Sequence, residues 1–140
     1  MKDRTDLIKR FMTVAPHSIG FRESLASAHA LMRNHSLRHL PVLDGTKLVG
    51  IVSERDLYLI ETLRDVNPED VRVEEAMTVR TYCVSPETSL EEVAGQMAEH
   101  KYGCALVLEG DAVVGMFTTV DALRVLVHLL HRVPHPPSPE

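Results

Sequence analysis

The heptapeptide Gly50-Ile51-Val52-Ser53-Glu54-Arg55-Asp56 recurs as Gly115-Met116-Phe117-Thr118-Thr119-Val120-Asp121, 65 residues further along the chain. The same offset pairs Met12 with Met77, Thr13 with Thr78, Leu25 with Leu90, Met32 with Met97, Val42 with Val107, Gly45 with Gly110 and Val49 with Val114, with no gap anywhere. Internal self-similarity of this kind defines a fold built from two copies of one unit. A copy of about 60 residues is marginal as an independent fold, so the two are expected to pack together and share a core. Both copies keep polar residues at the end of an apolar strand, which points to two related ligand sites.

Charge and composition narrow the function class. A formal net charge of −5, with no basic run, disfavours non-specific nucleic-acid binding, which rests on basic surface. Apolar stretches are short and broken by charge, and Met1-Lys2-Asp3-Arg4-Thr5-Asp6 lacks the apolar core of a signal peptide, so a cytoplasmic protein without membrane spans is expected. Cys83 and Cys104 form no C-x-x-C motif and are expected to be reduced, small and buried. His128 and His131 have a spacing that could hold a metal from one helix face, but with no carboxylate or cysteine partner nearby in sequence they read better as solvated residues at a helix C-terminus.

Each copy reads as strand, helix, strand, hairpin, strand, helix. In the second, Tyr82-Cys83-Val84 is β-prone, and Thr88 to Glu91 and Ser89 to Glu92 are overlapping capping boxes ahead of a helix whose apolar face is Leu90, Val93, Ala94 and Met97. The first copy places Leu25, Ala28, His29 and Met32 in the same register behind a weaker cap at Ser24. Leu40-Pro41-Val42-Leu43 and Ala105-Leu106-Val107-Leu108 are apolar enough for strands covered on both faces, and Asp44-Gly45 and Glu109-Gly110-Asp111 supply hairpin turns into Leu48–Val52 and Val113–Phe117. Gly50 and Gly115, inside those returning strands, mark a bulge or a close approach to the backbone. The stretch from Arg64 to Glu75 is polar and acidic and is expected to cross the surface as a linker.

After each glycine, Ser53 or Thr118 stands where a helix should begin, with Asp56 or Asp121 at the third helical position. A capping box alone accounts for such a pair. It does not account for the upstream glycine or for the same strand-to-helix context in both copies, so a ligand role is expected, with the hydroxyl serving both purposes. The helices that follow, through Leu57, Leu59, Ile60 and Leu63 and through Leu123, Val125, Leu126 and Leu130, are more apolar than a solvated helix needs and point to an interface with another chain. Pro134-His135-Pro136-Pro137-Ser138-Pro139-Glu140 cannot be helical and is expected to be disordered.

With both terminal motifs, Met12-Thr13 and Met77-Thr78 at the repeat starts, and Leu40-Pro41-Val42-Leu43-Asp44 before the first hairpin, the sequence resembles a tandem cystathionine-β-synthase (CBS) domain pair, or Bateman module, from about Phe11 to Val127. The resemblance implies an α/β (α+β) fold of two β-α-β-β-α repeats packed through their sheets about a pseudo-two-fold axis, with two clefts between them. The organisation expected is a helical lead-in over 1–10, repeats over 11–63 and 76–131, a linker over 64–75 and a Pro-rich tail over 132–140. Two such modules commonly form a flat disc, so a homodimer is implied. The family implies regulatory binding of adenosyl ligands: AMP, ADP or ATP, and in some members NAD or S-adenosylmethionine. Asp56 and Asp121 would accept from ribose hydroxyls, and Ser53 and Thr118 would reach ribose or phosphate. Adenine would lie near Val14 and Ile19, Val79 and Thr81, Leu37-Arg38, and Tyr102-Gly103. A carboxylate suits a vicinal diol and a helix N-terminus suits phosphate.

The first copy has Arg38, His39 and Arg55 where the second has Gly103, Cys104 and Val120, so the two clefts are expected to be unequal, the one receiving the basic groups preferring more phosphates. Which aspartate faces Arg38 is open at this point. First copy and second also differ at Gly20-Phe21-Arg22 against Ser85-Pro86-Glu87, away from the ribose motif. Three functions stay open: a ligand-binding regulatory module signalling to a protein partner in trans, a structural dimerisation module with vestigial sites, and a small enzyme. The sequence offers no triad, metal cluster or G-x-x-x-x-G-K-[S/T] loop, and catalytic family members carry catalysis in a separate domain, so no enzymatic activity, required cofactor or metal is expected.

Overall fold

The structure, a computed structural model, describes residues 6–63 and 65–132. Of the Pro-rich tail expected over 132–140, Arg132 instead closes the last helix and 133–140 lie outside the described residues, as do residues 1–5 of the lead-in. Along the chain, a 3-10 turn (Ile8–Arg10) leads into β1 (Thr13–Val14), β2 (Ile19–Gly20), α1 (Leu25–His35), β3 (His39–Asp44), β4 (Lys47–Ser53) and α2 (Glu54–Glu61). The second half runs α3 (Val73–Ala76), β5 (Cys83–Val84), α4 (Leu90–His100), β6 (Cys104–Glu109), β7 (Ala112–Thr118) and α5 (Thr119–Arg132). The two apolar runs of each copy form an antiparallel hairpin, β3 with β4 and β6 with β7, closed at Gly45 (φ +64°) and Gly110 (φ +61°). Such positive φ is open to glycine without steric penalty. A short strand adds in parallel to each hairpin, β2 to β3 and β5 to β6.

The first helix of each copy begins on a serine. Ser24 Oγ accepts from Ser27 N at 3.0 Å and Ser89 Oγ from Glu92 N at 3.1 Å, so Ser89 rather than Thr88 caps α4, with only the serine half of the expected box formed. Each helix ends at a left-handed residue, Ser36 (φ 55°) and Lys101 (φ 60°), which turns the chain back into the hairpin. Leu25, Ala28 and Met32 on α1, and Val93 and Met97 on α4, are buried against the sheets. The two copies thus form an α/β sandwich with separate clusters under each sheet, one around Leu25, Leu40 and Val52 and the other around Val93, Val107 and Phe117.

The copies interlock at their entrances. β1 leaves its own copy and pairs antiparallel with β7, Thr13 opposite Met116, while Thr78 bridges Ile51 in β4. One step earlier, Leu7 bridges Ser89 and Arg72 bridges Ser24. Each pairing maps onto the other under the 65-residue offset, which is the pseudo-two-fold symmetry expressed in hydrogen bonds. Ile8 is thereby fully buried in the second cluster and Val73 in the first. The segment expected to cross the surface between the copies therefore has Val73 as an anchor in the core, because it repeats the role of Ile8. β4 and β7 meet where the two sheets pack.

Apolar side chains are left outside on the last helices, with Tyr58 and Leu59 on α2 and Leu123, Leu126, Val127, Leu129 and Leu130 on α5 all exposed. His128 and His131 are exposed there too. No described helix is long and apolar enough to cross a membrane. Both cysteines are free and neither is fully buried as expected: Cys83 is exposed, and Cys104 is half-buried, where desolvation pushes its thiol up to about 12.

Candidate functional site

The crossed entrances open one cleft on each side of the axis, and each cleft takes its aspartate from one repeat and its opposite wall from the other. The helix caps come first. Ser53 N donates to Asp56 Oδ2 at 2.9 Å and Asp56 N donates to Ser53 Oγ at 3.1 Å, a complete capping box at the start of α2. Thr118 and Asp121 repeat it at α5, at 2.9 and 3.2 Å. In each pair one carboxylate oxygen is used by the cap. Asp56 Oδ1 has no hydrogen-bond partner among the described residues, and Asp121 Oδ1 meets only Arg124 Nη1 at 3.5 Å, an ion pair whose arginine is 77% exposed and which holds weakly. Capping and ligand binding are therefore compatible uses of one carboxylate.

The Asp56 cleft, about 450 Å³, has Ser53, Asp56 and His39 on one side and Arg80, Thr81, Tyr82, Lys101, Tyr102 and Gly103 on the other. Tyr102 stacks on Tyr82 with ring centroids 5.1 Å apart and on His100 at 5.2 Å. The Asp121 cleft, about 360 Å³, has Thr118, Asp121 and Arg124 facing Val14, His17, Leu37, Arg38 and His39. His17 stacks on His35 at 3.9 Å. Both volumes fall in the range of about 300–1,000 Å³ in which small-molecule sites lie.

The open question of which aspartate faces Arg38 is thus answered: it is Asp121, across the repeat boundary. Of the residues expected at the sites, Ser53, Asp56, Thr81, Tyr102 and Gly103 come together in the first cleft, and Thr118, Asp121, Arg38, Val14 and Leu37 in the second. Ile19 is instead buried in the first core cluster, and Val79 and Arg55 are exposed outside the lining of either cleft. The expected charge asymmetry needs correction. Arg80 and Lys101 place two cations in the Asp56 cleft, matching Arg38 and Arg124 in the other. None of Arg80, Lys101 and Arg124 was singled out in the sequence, although the 65-residue offset sets them against the uncharged Ala15, Ser36 and Leu59.

His39 occupies a special position as the residue lining both clefts. It opens β3 opposite Ser53 and closes on Gly103, where a Cβ would stand 2.8 Å from its Nε2. Burial holds its pKa below the ordinary histidine value, with Asp56 pulling the other way, Arg38 adding to the depression and Glu54 opposing it.

Known proteins share this fold. The acetoin utilization protein AcuB of Vibrio cholerae, so described as putative in its structure, superposes with a TM-score of 0.82 at 32% identity over 93% of this chain and 98% of its own. The structure of CBSX2 in complex with AMP has the same fold, with a TM-score of 0.77 at 24% identity over 89% of this chain and 98% of its own. Inosine-5'-monophosphate dehydrogenase of Korarchaeum cryptofilum is 34% identical over 116 residues, which are 82% of this chain but 22% of that enzyme, so the chain spans about a fifth of that relative. The CBS domain family matches twice, over residues 6–60 and 73–128, and the chain belongs to it as a tandem CBS domain pair.

Proposed function

We propose that the protein is a regulatory module that binds adenosyl ligands of the AMP, ADP and ATP class in its two clefts and signals to a protein partner in trans. The observation that carries this reading is the doubled constellation: a helix-capping carboxylate and two cations lining a cavity of nucleotide size, once in each cleft. In the Asp56 cleft the carboxylate oxygen left over by the cap accepts from the ribose diol. The Arg80 and Lys101 side chains suit the phosphate. The Asp121 cleft offers the same parts through Asp121, Arg38 and Arg124. Support for the ligand class comes from CBSX2, a protein of the same fold held in complex with AMP. The module is not itself an enzyme; it acts in the cytoplasm as a homodimer, joined through the exposed apolar faces of α2 and α5.

Calorimetric titration of AMP into the wild type, Asp56→Asn and Asp121→Asn tests the reading. Two binding events are expected in the wild type, and each variant weakens one of them by roughly ten- to a hundredfold, the loss of a charge-assisted hydrogen bond worth about 1.5–3 kcal/mol. Asparagine keeps the helix cap, so both variants should melt close to the wild type. A wild type that binds none of AMP, ADP and ATP would sink the proposal.

A further inference from the structure

We propose that His39 couples the two clefts, so that an anionic adenosyl ligand in one cleft raises the affinity of the other for its own; this rests on the reading of the clefts as adenosyl sites. His39 is the residue common to the linings of both cavities, and its ring nitrogens have no hydrogen-bond partner among the described residues. The imidazole is pinned against the Gly103 backbone, where a side chain would collide with Nε2 at 2.8 Å. It has no symmetry mate, because the 65-residue offset puts Cys104 at the corresponding place. A single titratable group therefore stands between two otherwise paired sites.

The charges around it set the sign. Asp56 and Glu54 on α2 favour the imidazolium, while Arg38 and the surrounding burial oppose it, and burial is the largest influence. The remaining charged or titratable groups of the two linings are Arg80, Lys101, Tyr82, Tyr102 and Cys104 on one side and His17, Asp121 and Arg124 on the other. Before ligand binds, burial disfavours the imidazolium. A phosphate entering either cleft favours the cation, so His39 takes up one proton from solvent. The second phosphate then meets a positive charge already in place and needs no further proton. Linkage makes the effect reciprocal: each site strengthens the other by the same factor. Uncharged adenosine, which does not favour the imidazolium, leaves the sites independent.

Calorimetry at pH 7 in two buffers of different ionisation enthalpy, with AMP and with adenosine as probes, reads both affinity and proton uptake. In the wild type the second AMP is expected to bind at least about fivefold more tightly than statistics allow, the lower end of ordinary coupling between linked sites. Proton uptake should fall on the first event. His39→Gln should bind AMP at two independent sites without that uptake, and adenosine should show neither effect in either protein. Since His39 is half-buried and the variant could unfold, the wild-type imidazole is also followed by NMR, where AMP should raise its titration midpoint. Independent AMP sites in the wild type, coupling that survives in His39→Gln, or an imidazole whose titration ignores AMP would each overturn the coupling while leaving ligand binding intact. Failure of the wild type to bind AMP overturns both.

Discussion

At Gly50 a Cβ would stand 2.8 Å from both the Met77 sulfur and the Thr78 carbonyl oxygen, and at Gly115 it would run into the Met12 side chain. The methionine at the start of each repeat and the glycine in the last strand of the other are two halves of one contact. Their consequences differ. Thr78 O is held by Ile51 N at 2.9 Å and cannot turn away, whereas the Met12 thioether is flexible. Gly50→Ala is therefore expected to destabilise by about 1–3 kcal/mol, as overpacking does, and Gly115→Ala by less. Urea unfolding midpoints check the order, and Met12→Ala should recover the loss in Gly115→Ala. Equal losses in the two alanine variants would contradict the account. A close approach to the backbone was legible at both glycines, but not what approaches: the neighbouring repeat accounts for it. The ligand argument rests instead on the cations. Arg80 and Lys101 are invisible to a copy-by-copy count of charge, which assigns it to a repeat, whereas each cleft draws its charges from both.

The elements themselves followed from local signals. Ser24 and Ser89 caps, the Gly45 and Gly110 turns and the apolar runs of β3 and β6 all act within a few residues, so sequence reports them directly. The crossing of β1 onto β7 could not be read the same way. A repeat pattern is identical whether Thr13 pairs within its own copy or Thr13 and Thr78 exchange partners, because the exchange preserves the 65-residue offset. The exchange has an energetic signature that sequence lacks. Ile8 and Val73, each just ahead of its own repeat, are fully buried in the core of the other. Ile8→Ala should cost about 2–5 kcal/mol, the range for truncating a buried aliphatic side chain. Native-state hydrogen exchange should show protection lost first in α4 and β6, with α1 and β3 retaining theirs longer. Loss concentrated in α1 and β3 would mean that the lead-in stabilises its own repeat.

For the molecule as a whole, the helices that begin at the two clefts are also the ones with unburied apolar faces. α2 begins at the Ser53–Asp56 cap and carries Tyr58 and Leu59 outward, and α5 begins at the Thr118–Asp121 cap and carries Leu123, Leu126 and Leu130 outward. The outward residues of α5 recur at three and four positions, one continuous helix face, of the kind that marks an interaction surface. Cleft and surface are therefore carried by the same two helices, of eight and fourteen residues. If these faces join two copies, a stable interface requires about 800 Å² from each, which one helix pair per copy can provide. Light scattering is expected to give twice the monomer mass for the wild type and the monomer mass for Leu123→Glu combined with Leu130→Glu. Neither leucine lines a cleft, so the double variant should keep two AMP-binding events while its dimer is lost. A wild type that is monomeric at tens of micromolar would remove the homodimer from the proposal, and a double variant that stays dimeric would move the interface off α5.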